Sequence, residues 1–231
     1  MISESIKKIQ QRIAAACEKV GRSTSEVTLL AVSKTFPEDR IRQAVHAGVT
    51  DIGENYVQEL MRKREQLLSE PIRWHFVGHL QTNKVKSIIG WVYLVHAVDS
   101  VKLAEELNRR AAIVGRLVDV LIEVNTTGES SKFGVQPDDT LELVRTLAPF
   151  DHLRVCGLMT IGPFLPDPEG SRPMFRQLKQ WRDRAAALGQ PNAPMNHLSM
   201  GMTGDFEVAI QEGATIVRIG TAIFGTRSRT L

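Results

Sequence analysis

The sequence predicts one α/β domain over residues 1–231, folded as a (β/α)8 TIM barrel with an extra helix at its N terminus. Three observations indicate this fold. Eight short apolar runs recur along the chain, amphipathic segments of helical period separate them, and 231 residues is close to the lower end of the range for such a barrel. Strict alternation of strands and helices implies a parallel sheet. Because most runs are apolar on both faces, a closed barrel is favoured over the alternative, an open doubly wound sheet.

The elements follow from periodicity and from end signals. A first helix is predicted over residues 2–20, where Ile6, Ile9 and Ile13 share one face and Gly21 marks the end. The eight predicted strands lie at 27–33, 50–53, 74–77, 92–98, 117–124, 153–159, a run ending at 197–199, and 214–219. The predicted helices between them lie at 37–47, 56–68, 82–89, 101–114, 138–147, 175–188 and 206–211. Pro37 suits the first turn of its helix.

Composition and charge exclude several classes of function. The formal net charge is only +3, with basic residues scattered among acidic ones, and this is too weak a field to argue for nucleic-acid binding. The two cysteines, Cys17 and Cys156, form no metal-binding pattern, and free thiols fit a reducing compartment. No apolar run approaches the length that spans a bilayer, and the first residues are polar. We therefore expect a cytoplasmic protein with neither a nucleic-acid nor a membrane partner.

Mostly polar residues directly follow the predicted strands, at the face where barrels carry their active sites. They are Lys34, Glu54, Asn55, Gly78, His79, Asp99, Asn125, Met159, Ser199, Arg218, Gly220 and Thr221. Lys34 follows seven residues of strand, so its stem starts inside the barrel mouth. A partly desolvated lysine amine is a nucleophile suited to forming an imine with an aldehyde. From position alone, a solvated loop lysine is the simpler interpretation.

The loops after strands seven and eight have the composition of a phosphate site. The first runs from Ser199 to Asp205 through small residues, and the second contains Arg218, Gly220 and Thr221. In many barrels these two loops bind phosphate with backbone N–H groups, hydroxyls and charge-assisted bonds. Ordinary turns would explain the same glycines without any ligand. A lysine amine and a phosphate cradle on one rim together describe an anchored phosphorylated aldehyde.

Motifs along the whole chain resemble, in order, those of a known family. They are Ala31-Val32-Ser33-Lys34-Thr35, Ile52-Gly53-Glu54-Asn55-Tyr56, Trp74-His75-Phe76-Val77-Gly78 with Leu80-Gln81-Thr82-Asn83-Lys84, Ile122-Glu123-Val124-Asn125 with Lys132-Phe133-Gly134, and Leu198 to Thr203, Asp205-Phe206 and Val217 to Thr221. The family is that of the pyridoxal 5′-phosphate (PLP) homeostasis proteins. The resemblance implies a barrel like the N-terminal domain of alanine racemase, with PLP as a Schiff base on Lys34.

The resemblance also implies roles for other residues at the rim. It implies phosphate contacts from Ser199, Gly201, Gly220 and Thr221. Asn55 is expected to line the pocket near the cofactor. Two roles are open for Arg218, a partner for the phosphate or for the pyridine nitrogen. An arginine at that nitrogen would disfavour its protonation and weaken the ring as an electron sink.

A PLP-binding racemase needs a second acid or base opposite the lysine. In the alanine racemase pattern that group is a tyrosine from the partner subunit's additional C-terminal domain, whereas only ten residues follow Thr221 here. The two tyrosines, Tyr56 and Tyr93, are expected to be packing residues, with Tyr56 nearer the rim. The resemblance and the missing group favour a protein without catalytic turnover.

The leading hypothesis is therefore a non-enzymatic protein that binds PLP reversibly on Lys34 and takes part in PLP (vitamin B6) and amino-acid homeostasis. A monomeric state and transient contact with PLP-dependent enzymes belong to this hypothesis. One alternative is a PLP-dependent amino-acid racemase or decarboxylase. Another is a phosphate-binding barrel that uses Lys34 for an aldolase-type Schiff base and carries no PLP.

The remaining polar residues receive structural interpretations. His75 and His79 are four apart but straddle a strand end, so we expect one packed and one rim histidine rather than a zinc site. The basic residues expected to be solvated, or to form a basic surface patch, are Arg62, Lys63, Arg64, Lys84 and Lys86.

Overall fold

The protein folds as a closed barrel of eight parallel strands, seen in a computed structural model that describes residues 1–127, 133–163 and 165–226. The strands are β1 (Thr28–Val32), β2 (Asp51–Glu54), β3 (Arg73–Phe76), β4 (Leu94–Val98), β5 (Val118–Glu123), β6 (Leu153–Met159), β7 (His197–Ser199) and β8 (Ile216–Ile219). They pair in chain order, and β1 pairs with β8 to close the barrel. The predicted barrel is confirmed, and the open sheet is excluded. Lys132 of the sequence motifs lies outside the described residues.

Helices surround the barrel. They are α1 (Ile2–Glu18), α2 (Glu38–His46), α3 (Val57–Gln66), α4 (Val85–Ile88), α5 (Val101–Ile113), α6 (Thr140–Leu147), α7 (Arg172–Ala186), α8 (Phe206–Gln211) and α9 (Thr221–Phe224). The predicted helix at 82–89 splits into a 3-10 turn and the short α4, and the one at 138–147 begins as a 3-10 turn. The short α9 was not predicted.

The extra helix α1 lies outside the β/α repeat and is confirmed. It packs against α2, α8 and α9. Its isoleucine stripe is buried, including Ile6 and Ile9. The helix therefore adds an outer apolar layer on α2 and on the two short helices α8 and α9. No helix in the described part of the chain is both long and apolar enough to cross a membrane.

The barrel interior contains both apolar and polar side chains. The inner apolar cluster consists of Leu30, Val32, Val77, Leu94, Leu121, Cys156, Met159 and Ile216. Strand residues two apart point to the same side. His75 stands two positions from Val77, His96 two from Leu94, and Arg218 two from Ile216. The strands therefore direct buried polar groups into the barrel beside its apolar filling.

Candidate functional site

A cavity of about 450 Å³ opens at the mouth of the barrel, at the carboxyl ends of the strands. Its polar lining consists of Lys34, Asn55, Thr203, Asp205, Arg218 and Thr221. Its other lining residues are Val32, Phe36, Val77, Ile161, Pro163, Leu165, Met202, Gly204 and Gly220. An apolar cavity of this size with a few convergent polar groups is typical of a small-molecule site.

Lys34 reaches this cavity from a turn directly after β1. The next residue, Thr35, has a left-handed backbone with φ of 70°, which is uncommon for a residue other than glycine. Its N–H donates to Glu59 Oε1 at 2.7 Å, and the Phe36 N–H donates to the Ser33 carbonyl at 3.0 Å. The lysine is half-buried. The direction of its side chain is therefore set by a turn that α3 holds from behind.

Lys63 of α3 forms a buried ionic cluster behind that turn. Its ammonium, which has no exposed surface, donates to the Ser33 carbonyl at 2.7 Å and to Glu54 Oε1 at 2.5 Å. It also lies 2.7 Å from Glu59 Oε1. Burial raises the pKa of Glu54, and Lys63 opposes that shift. The prediction that Lys63 is a surface residue is wrong, because helical spacing places it on the same buried face of α3 as Leu60.

Asn55 follows β2 and packs against the end of β3. A Cβ on Gly78 would lie 2.2 Å from the Asn55 carbonyl oxygen, so only glycine fits there. The side-chain Oδ1 of Asn55 is buried and has no hydrogen-bond partner within the described protein. Buried polar atoms are nearly always paired. This atom, on a residue that lines the cavity, marks a position for a polar ligand atom.

Arg218 supplies a fixed positive charge inside the mouth. Its Nη1 donates to the carbonyl and to Oγ of Ser199, both at 2.7 Å, and its Nη2 donates to the Thr160 carbonyl at 2.6 Å. Burial lowers its pKa to about 10, while Glu123 and Asp205 oppose the shift. The guanidinium therefore stays charged at neutral pH and is held in one orientation.

The loop after β7 is held tightly at Gly201. Its φ is +89°, and a Cβ there would lie 2.5 Å from the Ala209 Cβ and 2.9 Å from the Phe206 Cα. The Gly201 carbonyl also accepts the Arg218 backbone N–H at 3.0 Å. Glycine is therefore required for the loop to pass under α8 and meet β8.

The two loops after β7 and β8 meet at the cavity. Asp205 Oδ1 accepts the Met202 N–H at 2.7 Å, and its Oδ2 accepts the Ser171 hydroxyl at 3.0 Å. The hydroxyl of Thr221 donates to that of Thr203 at 3.2 Å. The two loops thus present neighbouring hydroxyls on one side of the cavity.

The structure brings together most of the predicted site residues. Lys34, Asn55, Arg218, Gly220 and Thr221 all line the cavity. Ser199 and Gly201 are buried just behind its wall, where Ser199 Oγ contacts Arg218 and His96. Sequence reasoning named the loop up to Asp205 but did not select Thr203 and Gly204, which line the cavity. A hydroxyl and a glycine at the loop tip were the available signal.

Glu123 is a further group that sequence reasoning did not select. It ends β5, is 5% exposed, and lines a second cavity that shares Asn55 and Ile161 with the first. Burial raises its pKa to about 7. This pKa lies near neutral pH, the range in which a general acid or base works best. The available signal was its place as the last residue of a strand.

The aromatic and histidine residues of the rim are mostly outside the main cavity. His79 lies 3.3 Å from Asp99 and stacks on Phe133, with ring centres 3.9 Å apart. Tyr56 is 60% exposed and lines the second cavity. Tyr93 precedes β4 at the opposite end of the barrel. The expectation of one rim histidine, His79, and one packed histidine holds. In the described ranges no group of three His, Cys, Asp or Glu residues could hold a metal ion.

Comparison with known proteins identifies the family. A family model described as the N-terminal domain of alanine racemase matches residues 5–228. A pyridoxal phosphate homeostasis protein of Aquifex aeolicus is 47% identical over 224 residues, covering 97% of this chain and 97% of the relative. Another, of Pseudomonas aeruginosa, is 40% identical over 230 residues, covering 98% and 96%.

Solved structures give the same result. PipY of Synechococcus elongatus, with PLP bound, matches with a TM-score of 0.85 at 30% identity and covers 97% of this chain and 100% of PipY. An alanine racemase of Corynebacterium glutamicum shares the fold, with a TM-score of 0.67 at 17% identity, covering 96% of this chain but 62% of the racemase. The chain belongs to the alanine racemase N-terminal domain family and, within it, to the pyridoxal phosphate homeostasis proteins.

Proposed function

We propose that this protein binds PLP reversibly in the cavity at the barrel mouth, with Lys34 as the anchoring amine, and serves PLP and amino-acid homeostasis. The observation that carries the proposal is the convergence of Lys34, Arg218 and Thr221 on one cavity. Relatives named for PLP homeostasis, and PipY with PLP bound, support it. When bound, PLP supplies an aldehyde with which a lysine amine forms a Schiff base.

The residues present fit such a ligand. A phosphate fits the side where the Thr203 and Thr221 hydroxyls meet beside Gly220, with Ser199 and Gly201 behind the wall. The apolar wall suits an aromatic ring, and the Asn55 Oδ1 is a buried acceptor in need of a partner.

Arg218 restricts what the ligand presents to it. Among the described residues, its Nε–H and second Nη2–H bond to no protein group. A guanidinium only donates. The ligand atom it meets must therefore accept, and both roles considered above satisfy this: a phosphate oxygen or an unprotonated pyridine nitrogen.

We propose that binding occurs without sustained catalytic turnover. Neither of the two tyrosines lines the cavity, so a tyrosine acid opposite Lys34 is not supplied by this chain. A monomer of one domain in the cytoplasm, which contacts PLP-dependent enzymes transiently, completes the proposal. The two free, buried cysteines, Cys17 and Cys156, are consistent with a reducing compartment.

A PLP-dependent racemase or decarboxylase is the second candidate. The observation that favours it is Glu123, whose pKa of about 7 and place beside the shared wall of the two cavities suit an acid or base. Exchange of α-protons of amino acids in deuterated buffer distinguishes the candidates. Sustained exchange by the wild type that is lost in both Lys34→Ala and Glu123→Gln would replace the non-enzymatic proposal.

The proposal is tested by an absorbance spectrum of the protein with PLP, followed by borohydride reduction and peptide mass mapping. We expect a visible band and a reduced adduct on Lys34. Lys34→Ala should lose both, whereas Lys86→Ala, on the exposed side of α4, should retain them. A protein that stays colourless and unmodified would reject PLP and favour the aldolase-type barrel.

A further inference from the structure

A chain of hydrogen bonds crosses the barrel interior and ends at Arg218. Asp51 Oδ1 lies 3.0 Å from His75 Nε2, and His75 Nδ1 lies 2.9 Å from His96 Nε2. His96 Nδ1 lies 2.9 Å from Ser199 Oγ, which accepts from Arg218 Nη1 at 2.7 Å. These residues come from five different strands, so the chain connects β2, β3 and β4 to β7 and β8.

His75 and His96, the two histidines in this series of hydrogen bonds, are both neutral. His75 and His96 have almost no exposed surface, and burial lowers the pKa of each, that of His96 strongly. At the far end Asp51 is ionised, because hydrogen bonds from His75 and Arg73 lower its pKa against the effect of burial. Arg73 lies 2.6 Å from Asp51 Oδ2. A neutral imidazole has one donor nitrogen and one acceptor nitrogen.

The Asp51 carboxylate and the neutral state of both histidines fix the direction of every hydrogen bond from Ser199 to Asp51. The Asp51 carboxylate only accepts, so neutral His75 faces it with Nε2–H and accepts at Nδ1, which makes His96 Nδ1 an acceptor. Ser199 Oγ accepts from Arg218 and directs its own hydrogen to His96 Nδ1. His96 therefore carries its proton on Nε2 and donates to His75 Nδ1. His75 in turn carries its proton on Nε2 and donates to the Asp51 carboxylate.

The opposite direction leaves a contact unsatisfied. If His96 donated from Nδ1 to Ser199, its Nε2 would accept from His75 Nδ1. His75 Nε2 would then be an acceptor facing the Asp51 carboxylate, which is also an acceptor, at 3.0 Å. Two lone pairs would oppose each other in a buried site, which is costly.

We propose that Asp51, His75 and His96 are positioning residues that orient Arg218 in the cavity through this directional chain. Its hydrogen bonds all run from a cation to an anion, so each strengthens the next. Asp51 also lines a cavity of about 530 Å³ at the other end of the barrel. The charge of Asp51 is thereby coupled to the Arg218 guanidinium, the donor that a ligand meets at the barrel mouth. The effect on PLP rests on the function proposed above, whereas the tautomers do not.

The tautomers are tested on the ligand-free protein by 15N NMR of the imidazole rings. We expect both His75 and His96 to be neutral with the proton on Nε2. A proton on Nδ1 of either ring, or a protonated ring at neutral pH, would overturn the proposed direction. This result does not depend on whether PLP binds.

The coupling is tested by a double-mutant cycle on PLP affinity. Asp51→Asn keeps the shape and the acceptor but removes the charge, and we expect it to weaken PLP binding about three- to tenfold. In a His96→Leu background, where the chain is cut, the same change should have less than about a twofold effect. Ser199→Ala is the second background if His96→Leu does not fold.

Asp119→Asn is the matched control, because Asp119 pairs with Arg154 at 2.7 Å near the same end of the barrel but outside the chain. It should leave PLP affinity within about twofold of the wild type. Equal effects of Asp51→Asn in intact and cut backgrounds would overturn the coupling. Failure of the wild type to bind PLP would instead reject the proposed function. The NMR experiment would still test the direction of the hydrogen bonds.

Discussion

Glu59 holds the backbone of Thr35 in its left-handed conformation, with 2.7 Å between the Thr35 nitrogen and Glu59 Oε1. A non-glycine residue in this region costs roughly 1–3 kcal/mol and persists only where its surroundings fix it. The strained turn directly follows Lys34. The position of Lys34, the proposed PLP anchor, therefore depends on a carboxylate of α3.

Removing that carboxylate should loosen the turn. We expect Glu59→Ala to lower the free energy of unfolding by about 1–3 kcal/mol, because the Thr35 N–H loses a charged acceptor and the buried Lys63 ammonium loses one of its carboxylate partners. It should also weaken PLP binding. Urea denaturation and absorbance titration measure the two effects. Glu65→Ala, exposed on the same helix, is the control, and equal losses in both variants would contradict this role.

Lys63 is expected to be essential for stability. Lys63→Met leaves the buried Glu54 and the partly exposed Glu59 without their cation, and we expect a loss of about 3–5 kcal/mol in the free energy of unfolding. Thermal and urea denaturation of the ligand-free protein measure it. Lys8→Met, which removes an exposed pair with Glu4, should have no measurable effect. A stable Lys63→Met variant would show that the cluster is dispensable.

Gly78 should not tolerate a methyl group. Gly78→Ala places a Cβ against the Asn55 carbonyl, and we expect a destabilisation of about 1–3 kcal/mol together with weaker PLP binding. Gly90→Ala is the control, since nothing lies within 4 Å of the new Cβ. The free energy of unfolding and the dissociation constant for PLP are compared for both. Unchanged values for Gly78→Ala would mean that β2 and β3 separate easily at the mouth.

Glu123 should make stability depend on pH. Its pKa is about 7 in the folded protein and 4.5 in the reference state, so the folded state holds the proton more strongly between these values. Stability from this group is therefore lost as pH rises through that window. The free energy of unfolding of Glu123→Gln should match that of the wild type at about pH 4.5 and exceed it by roughly 3 kcal/mol at about pH 8.

The lowered pKa values of His75 and His96 act with the opposite sign, because the unfolded chain gains protons below its histidine pKa. Taking the difference between Glu123→Gln and the wild type at each pH cancels that contribution. The measurement is urea denaturation of ligand-free protein across the range. A difference that stays constant with pH would contradict a raised pKa at Glu123.

The barrel and its lysine were predictable from local patterns. Each strand is a compact apolar run, and Lys34 and Arg218 lie at the carboxyl ends that the fold assigns to function. The chain from Asp51 to Arg218 was not predictable, because its members are far apart in sequence and meet only when the sheet closes. Periodicity predicts which side of a strand a residue faces and not which residue lies across the barrel.

Two smaller errors have local causes. The helix α9 has four residues, which is too short to show a helical period. Lys63 was interpreted by its charge rather than by its spacing from Val57 and Leu60. A lysine on the apolar face of a helix requires a buried anion, and Glu54 became visible as that anion only in three dimensions.

The packing of α1 against α8 and α9 has a consequence for biosynthesis. The isoleucine face of α1 is made long before α8 and α9, against which it packs. Closure of β1 on β8 waits for the same late segment. In a nascent chain the apolar face of α1 therefore lacks these two partners until α8 and α9 have been made, and contacts between segments far apart in sequence slow folding. Because Lys34 and Thr221 are also far apart in sequence, the cavity is complete only once the segment that carries Thr221 has been made and has folded against β1.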